Sequence, residues 1–180
     1  MDILKESKDF IRRVAEADRK AADLRARAAD IEREMAFPLS AGVGKMEPGR
    51  AKGQHKSSVE AMAIKREYQQ EQAAALLHEA EQIQQEKAYT VGFLEYLKRL
   101  PSYWNVSNIL EYRYLKGQNV RETSRATFWS MAEVKRLEEK GLMCIGAVFL
   151  GLKEPGAIYD RNGLFVMGEA EWAKTLKKWQ

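Results

Sequence analysis

Two pairs of basic side chains lie close together in the second half of the chain. Arg121 and Arg125 are four residues apart, and Lys135 and Arg136 come soon after Ser130. Guanidinium and ammonium groups bind phosphate oxygens and guanine edges, so this pattern favours contact with a nucleic acid. Catalysis is not indicated, because the sequence has no His–carboxylate or Cys–His arrangement, no cluster of metal ligands and no phosphate loop. We therefore expect a non-enzyme without a cofactor.

Three short helices with two tight connections are predicted to position these side chains, between residues 106 and 142. Gly117 is expected to end the first helix, and Asn119 is a candidate N-cap for the second, which runs to Thr127. The first helix is predicted from apolar residues at helical spacing, namely Val106, Ile109, Leu110 and Tyr114.

The third helix is predicted to begin after Ser130, with Glu133 closing a capping box and Gly141 ending the helix. Val134 and Leu137 point inward in this prediction. The side chains left facing outward are Met131, Ala132, Glu133, Lys135 and Arg136.

A helix, a short turn and a second helix that is capped by Ser and apolar on one face form the helix-turn-helix pattern of DNA-reading proteins. In that pattern helix 130–140 enters the major groove. Lys135 and Arg136 would contact phosphates or guanine edges. The acidic pair Glu138 and Glu139 indicates that only the N-terminal half of the helix approaches DNA. The alternative is that this segment is an ordinary helical corner of a small α domain.

The other predicted DNA contacts divide into two groups. Arg121 and Arg125 would bind the flanking backbone, and the residues from Ser130 to Glu133 would present Met131, Ala132 and Glu133 to base edges. Tyr103 and Trp104, just before the first helix, are predicted to pack rather than to stack on bases.

The charge of the whole chain is a weak signal, at +4 over 180 residues. The basic excess lies in residues 37–57, with four basic and one acidic side chain, and in residues 101–140, with seven basic and five acidic side chains.

Residues 1–20 are highly charged, which is unlike a signal peptide, and no apolar run is long enough to span a membrane. We expect the protein in the host-cell cytoplasm, with Cys144 as a buried thiol.

Residues 1–36 are predicted to form one long helix that ends at Phe37-Pro38. Its apolar positions alternate in steps of four and three, which is a heptad seam. The seam consists of Ile3, Ser7, Phe10, Val14, Ala17, Ala21, Leu24, Ala28, Ile31 and Met35.

Residues 58–100 are predicted to form a second long helix, after a Gly-rich surface loop at 37–57 that is either a basic arm or a hydrated linker. Its heptad seam is interrupted by polar residues. The two helices either fold back as an antiparallel hairpin or pair with partner chains through residues 3–35 and 59–97. The predicted domains are therefore 1–100, for oligomerisation or partner binding, and 101–180, for DNA binding.

After Gly141 the chain contains an apolar run that is predicted as a strand or a last core helix. Residues 157–167 then form a predicted β-hairpin around the turn 160–163, and 169–179 a short helix. A helix, a strand, a turn and a second strand are also the plan of a winged helix, in which Arg161 would reach a phosphate or the minor groove.

The order of these parts resembles phage late-gene transcription regulators of the RinA and ArpU type, whose C-terminal domain is similar to the fourth region of bacterial sigma factors. The resemblance lies in residues 37–42, in 112–117, and in Val120-Arg121-Glu122-Thr123 with Ser130 and Val134-Lys135-Arg136-Leu137. Phe128 stands where the group usually has Gly in the turn, so a longer or differently shaped turn is expected. The C-terminal third looks more like winged-helix regulators.

The resemblance implies a mainly α fold, with a long helical hairpin or coiled coil, a helix-turn-helix domain and a small β-hairpin as wing. It implies a homo-oligomeric, sequence-specific transcription regulator of phage or prophage origin, with duplex DNA and RNA polymerase as candidate partners. The rival readings are a phage assembly or packaging oligomer of small-terminase or scaffold type, and an inhibitor of a host protein.

Overall fold

A computed structural model describes residues 2–36 and 58–168, without the side chains of residues 58–61 and 167. The protein is mainly helical, with one small antiparallel sheet. The predicted loop at 37–57 and the predicted helix at 169–179 lie outside the described residues. The elements are α1 (Ile3–Ala15), α2 (Ala17–Ala36), α3 (Ser58–Lys98), α4 (Trp104–Leu110), a π-helix (Glu111–Leu115), α5 (Val120–Thr127), α6 (Met131–Phe149), β1 (Ile158–Tyr159) and β2 (Phe165–Met167).

The chain divides into two compact units, and the division differs from the predicted boundary at residue 100. One unit is formed within residues 1–16 and 86–180, and the other within residues 17–85. The first helix and the last part of α3 therefore belong to the same unit as α4 to α6. The assignment of separate functions to residues 1–100 and 101–180 stays a prediction.

The single helix predicted for residues 1–36 is interrupted at Glu16, so that part of the prediction is wrong. The predicted seam is nevertheless inward-facing: it is buried from Ser7 to Ala28, and its end residues Ile3, Ile31 and Met35 are half-buried. In α1 the buried face is wider than the seam, because Ile11 is buried as well. Helix α1, before the interruption, contributes to the larger of two hydrophobic cores. Helix α2, after it, packs within residues 17–85.

A narrow contact stabilises the unit formed by residues 17–85. Ala21 and Leu24 of α2 form a small buried cluster with Ala80 of α3, and Leu76 and Ile83 pack against it. The small alanine side chains allow the two helix backbones to approach closely. The seam residues of α2 thus pack within the chain itself.

The larger core lies in the other unit and is built from four α-helices, the π-helix and the segment before β2. α1 contributes Phe10, Ile11 and Val14, and the end of α3 contributes Leu94 and Leu97. The remaining core residues come from α4, the π-helix, α6 and the segment before β2, and they include Val106, Ile109, Leu110, Tyr114, Val134, Leu137, Leu142, Ile145 and Leu164.

The prediction that the third helix ends at Gly141 is wrong. Helix α6 continues to Phe149. Gly141 is a point of close approach: a Cβ atom there would lie 2.7 Å from Leu110 Cδ1 and 2.9 Å from Val106 Cγ1. Gly146, one turn further on, faces Ile3 and Ser7 of α1 in the same way. Both glycines thus allow a neighbouring helix to pack closely against α6. The apolar run after Gly141 is therefore helix, and the strand expected there in a winged-helix plan is absent from the described chain.

The predicted β-hairpin at 157–167 is confirmed. β1 and β2 pair antiparallel, with an irregularity between Ile158 and Tyr159. Asp160 closes the turn, because its Oδ1 accepts hydrogen bonds from the backbone N–H groups of Asn162 and Leu164, at 2.8 Å each. Within the described ranges, no helix is long and apolar enough to cross a membrane.

Candidate nucleic-acid interface

The first side of the candidate interface is helix α5, whose start follows from local chemistry. Gly117 adopts the left-handed conformation, with φ of 67°, and ends the preceding helical segment as predicted. Asn119 caps α5, and a complete capping box links it to Glu122: the Glu122 N–H donates to Asn119 Oδ1 at 3.0 Å, and the Asn119 N–H donates to Glu122 Oε2 at 2.8 Å. This end of α5 is therefore fixed by two reciprocal hydrogen bonds.

Only two residues, Phe128 and Trp129, separate the end of α5 from the cap of α6. Phe128 has φ of 61° and ψ of 19°, and it is the one non-glycine residue with positive φ in the described part of the chain. Of the two expectations, a longer or a differently shaped turn, the first is not met, because the turn is short and Phe128 itself adopts the left-handed conformation. That conformation costs a residue with a Cβ about 1–2 kcal/mol. Packing does not offset this cost, because Phe128 is 95% exposed.

The second side of the interface is the start of α6. Ser130 caps this helix as predicted, since the Glu133 N–H donates to its Oγ at 3.2 Å. The predicted capping box is not completed, because the Glu133 carboxylate is bound instead by the guanidinium of Arg136, at 2.6 and 2.9 Å. This hydrogen bond holds the pKa of Glu133 below its usual value.

A groove of about 600 Å³ brings four of the predicted site residues together. It lies between the first turns of α5 and α6, and Arg121 and Lys135 are its two cations. Its other lining residues are Asn119, Val120, Met131 and Ala132, so no carboxylate lines it. The groove therefore presents positive charge next to exposed apolar side chains.

The cations of this surface have no carboxylate partner within the residues that the structure describes. Arg121, Arg125 and Lys135 are exposed and form no ion pair there. Arg125 is one helical turn after Arg121, so both lie on one face of α5. Arg136 differs from these three, because its guanidinium is paired with Glu133 and lines another cavity, near Lys140 and Phe165. The structure thus separates Arg136 from the Arg121–Lys135 groove.

The acidic pair at 138 and 139, which led to the prediction that only the N-terminal half of the helix approaches DNA, is divided by the structure: Glu139 is exposed, and Glu138 is turned into the core. Its carboxylate accepts a hydrogen bond from Tyr114 Oη at 2.7 Å and is paired with Arg113 at 3.3 Å. Arg113 also donates to the Gln118 carbonyl oxygen at 2.6 Å. This buried network joins the helix before α5 to the middle of α6 and fixes the frame on which the groove lies.

Arg161 lies far from the start of α6. Next to it, Asn162 donates to Tyr96 Oη at 3.3 Å, and a Cβ at Gly163 would lie 3.5 Å from Val148. Val148 is 17 residues after Met131 in α6, which corresponds to roughly 25 Å along the helix. The hairpin turn is thus beside the far end of α6 and does not extend the groove surface.

The adjacent residues Tyr103 and Trp104, both predicted to pack, differ in burial. Tyr103 is buried, and its hydroxyl donates to the Phe165 carbonyl oxygen at 3.1 Å, as the packing prediction requires. Trp104 is 53% exposed, so its predicted packing is wrong. α4 begins at Trp104 and buries Val106, Ser107, Ile109 and Leu110, which leaves its first residue outside the core.

The residues of the turn were not among the predicted contacts, although a signal for them existed. Phe128 lies in the turn just before the Ser130 cap, at the end of α5, where a left-handed residue, usually glycine, is common. Phe128, Trp129 and Met131 together form the exposed apolar part of this surface, at 95%, 39% and 55% exposure.

In the part of the chain that the structure describes, no group of three or more His, Cys, Asp or Glu side chains is placed to hold a metal ion. No protein-family model matches the chain, and comparisons with curated proteins and with solved structures find no match to it.

Proposed function

We propose that the protein is a sequence-specific DNA-binding transcription regulator of phage or prophage origin. In this proposal α5, the turn at Phe128-Trp129 and α6 form a helix-turn-helix, and the first half of α6 enters the major groove. The observation that carries the proposal is the groove in which Arg121 and Lys135 stand together without a carboxylate.

The contacts are assigned according to position. Arg121 and Arg125 bind the phosphate backbone along α5, and Lys135 reaches a phosphate or a guanine edge from α6. Met131 and Ala132 contact base edges, with Ser130 holding the helix start. Arg136 contributes less than first expected, because Glu133 already neutralises it. We leave Arg161 out of this contact set.

The remaining parts of the chain would bring two copies of the helix-turn-helix together in an oligomer. We propose that α2 and the first part of α3 form an antiparallel hairpin and that a homo-oligomer forms through faces other than the seam, since the seam packs within the chain. A dimer would bind two half-sites one helical turn apart. RNA polymerase is a candidate partner for the exposed faces of these helices.

The test replaces both groove cations and measures binding to a duplex that the unmodified protein selects from a random-sequence library. We expect Arg121→Ala with Lys135→Ala to weaken binding, and the slope of log affinity against log salt to fall by about two units if Lys135 binds a phosphate and by about one unit if it binds a guanine edge. A matched control is Lys20→Ala with Arg27→Ala, which removes two cations that are paired with Glu79 and Asp23.

The control should bind like the unmodified protein, because its cations do not line the groove, and light scattering of the control should show an unchanged oligomer mass. Equal affinity of the groove variant and the control would contradict the proposal. Failure of the unmodified protein to enrich any duplex would reject DNA binding altogether.

A second candidate function is a non-enzymatic phage assembly protein that works as an oligomer. It is supported by Ile64 and Tyr68, one helical turn apart on α3 and 54% and 59% exposed, which is unusual apolar exposure for a solvated helix. Light scattering discriminates between the two candidates: a large closed assembly without duplex affinity would favour this one.

A further inference from the structure

The turn between α5 and α6 carries an aromatic ring where the backbone favours glycine. Phe128 is left-handed and 95% exposed, so neither backbone preference nor packing accounts for a phenyl ring at this position. The turn uses a left-handed conformation here, which glycine would adopt without strain, so the exposed phenyl side chain at a strained position is grounds for a functional hypothesis.

The surroundings of Phe128 identify the chemistry of its partner. Three exposed cations, Arg121, Arg125 and Lys135, lie on the two helices that the turn joins, and none of them has a carboxylate partner among the described residues. Residues 119–136 carry four basic and two acidic side chains. Both acids are already bonded, Glu122 to the backbone N–H of Asn119 and Glu133 to Arg136. An apolar ring on a cationic surface fits a polyanion that also exposes apolar groups.

Duplex DNA has this combination in the major groove, where phosphates flank the C5-methyl groups of thymine. Phe128 lies three residues before Met131, the first residue of α6, and the N-terminal end of a recognition helix is the part that contacts base edges. The turn keeps the ring outward, because the Ser124 hydroxyl donates to the Trp129 carbonyl oxygen at 2.6 Å and Ser130 caps α6.

We propose that Phe128 is a specificity-determining residue that reads thymine methyl groups in the major groove, with Met131 beside it on the first turn of α6. This inference rests on the proposed function, because it assigns a sequence preference to the same DNA-binding surface. The target site then contains thymine at the position that faces the turn.

The test compares the selected duplex with versions in which single thymines are replaced by uracil, which removes only the methyl group. We expect the unmodified protein to lose roughly three- to fourfold in affinity at one or two positions, the equivalent of one buried methyl group. Phe128→Gly should bind the thymine duplex roughly five- to tenfold more weakly, in the low range of a mismatched base pair. It should no longer distinguish thymine from uracil.

Three controls separate this inference from misfolding, from a general effect of exposed aromatic side chains and from phosphate binding. Phe128→Gly relieves the left-handed strain, so its thermal unfolding midpoint should be equal to or above that of the unmodified protein, which excludes misfolding as the cause. Tyr89→Ala removes an aromatic side chain that is 72% exposed elsewhere, and its binding should not change. Lys135→Ala should reduce the salt dependence and keep the thymine preference.

The inference is overturned if Phe128→Gly binds both duplexes like the unmodified protein, or if it keeps the thymine preference. It is also overturned if the variant changes the oligomer mass and not the DNA affinity, because the ring would then contact protein. If the unmodified protein selects no duplex, the proposed function fails first and this inference falls with it.

Discussion

One buried cysteine and two buried tyrosines make the stability of the larger unit dependent on pH in the alkaline range. Cys144 is fully buried in α6, and its Sγ accepts a hydrogen bond from the Phe165 N–H at 3.2 Å. Burial raises the pKa of this thiol from 9.0 to about 11. Burial likewise raises the pKa of Tyr103 from 10.0 to about 12. Burial and the hydrogen bond to Glu138 raise the pKa of Tyr114 as well.

We expect the free energy of unfolding to fall between pH 9 and pH 11. In this range the thiol of the unfolded chain ionises while the folded protein keeps its proton, so the unfolded state binds fewer protons and stability falls as pH rises. For Cys144 alone the loss is roughly 2–3 kcal/mol. Urea unfolding at pH 8, 9, 10 and 11 measures it.

Cys144→Ala is the matched variant for this measurement. It lowers stability at every pH because it removes a buried sulfur, but it should lose less than the unmodified protein between pH 9 and pH 11. Parallel pH profiles of the two proteins would contradict the assignment. A further fall above pH 10, from Tyr103 and Tyr114, should be present in both.

At the scale of the element, helix α6 depends on a glycine in its interior. We expect Gly141→Ala to lower the free energy of unfolding by roughly 1–2 kcal/mol, because the new methyl group would overlap Leu110 and Val106, and overpacking costs more than the gain in helix propensity. Gly92→Ala is the control, since Gly92 is also inside a helix but has no atom within 4 Å of a Cβ at that position. It should raise stability by up to about 1 kcal/mol.

Urea denaturation of both variants is the measurement. The opposite signs are the essential result, because the two substitutions make the same chemical change in two helix interiors. If Gly141→Ala were neutral or stabilising, the close packing of α6 on α4 would be refuted.

The elements were predicted well wherever a local signal defined them. The caps Asn119 and Ser130 and the Asp160 turn are made by side chains that bond to backbone atoms within four residues. The errors have a different origin: a glycine near a helix end can be a stop signal or a packing contact, and only the position of Leu110 and Val106 distinguishes the two for Gly141. The candidate site follows the same pattern, since spacing identified Arg121 and Lys135 but not the pairing of Arg136.

At the scale of the whole molecule, we expect the predicted DNA-binding domain 101–180 not to fold as an isolated fragment. The larger core includes five buried side chains that the fragment lacks, Phe10, Ile11, Val14, Leu94 and Leu97. At about 1.5–3 kcal/mol each, their burial is worth roughly 7–15 kcal/mol, which is as large as the stability of a typical domain.

Circular dichroism and amide chemical-shift dispersion of the fragment and the full chain test this expectation. A cooperative thermal transition in the fragment would contradict it. In the full chain, Ile11→Ala should cost 2–5 kcal/mol, the usual range for a buried aliphatic side chain.

By itself, the sequence determined the helix caps, the inward face of residues 7–28, the hairpin around Asp160 and the cations of the candidate interface. These features depend on hydrogen bonds between near neighbours, on periodicity or on residue type, and all three can be recognised in the amino-acid sequence. The tertiary structure decided that Glu138 is buried, that α1 completes the core around α6, that Arg161 is remote from the groove and that Gly141 is a helix contact. Each of these depends on a contact with a residue far away in the chain, and such a contact cannot be recognised from the spacing of neighbouring residues in the sequence.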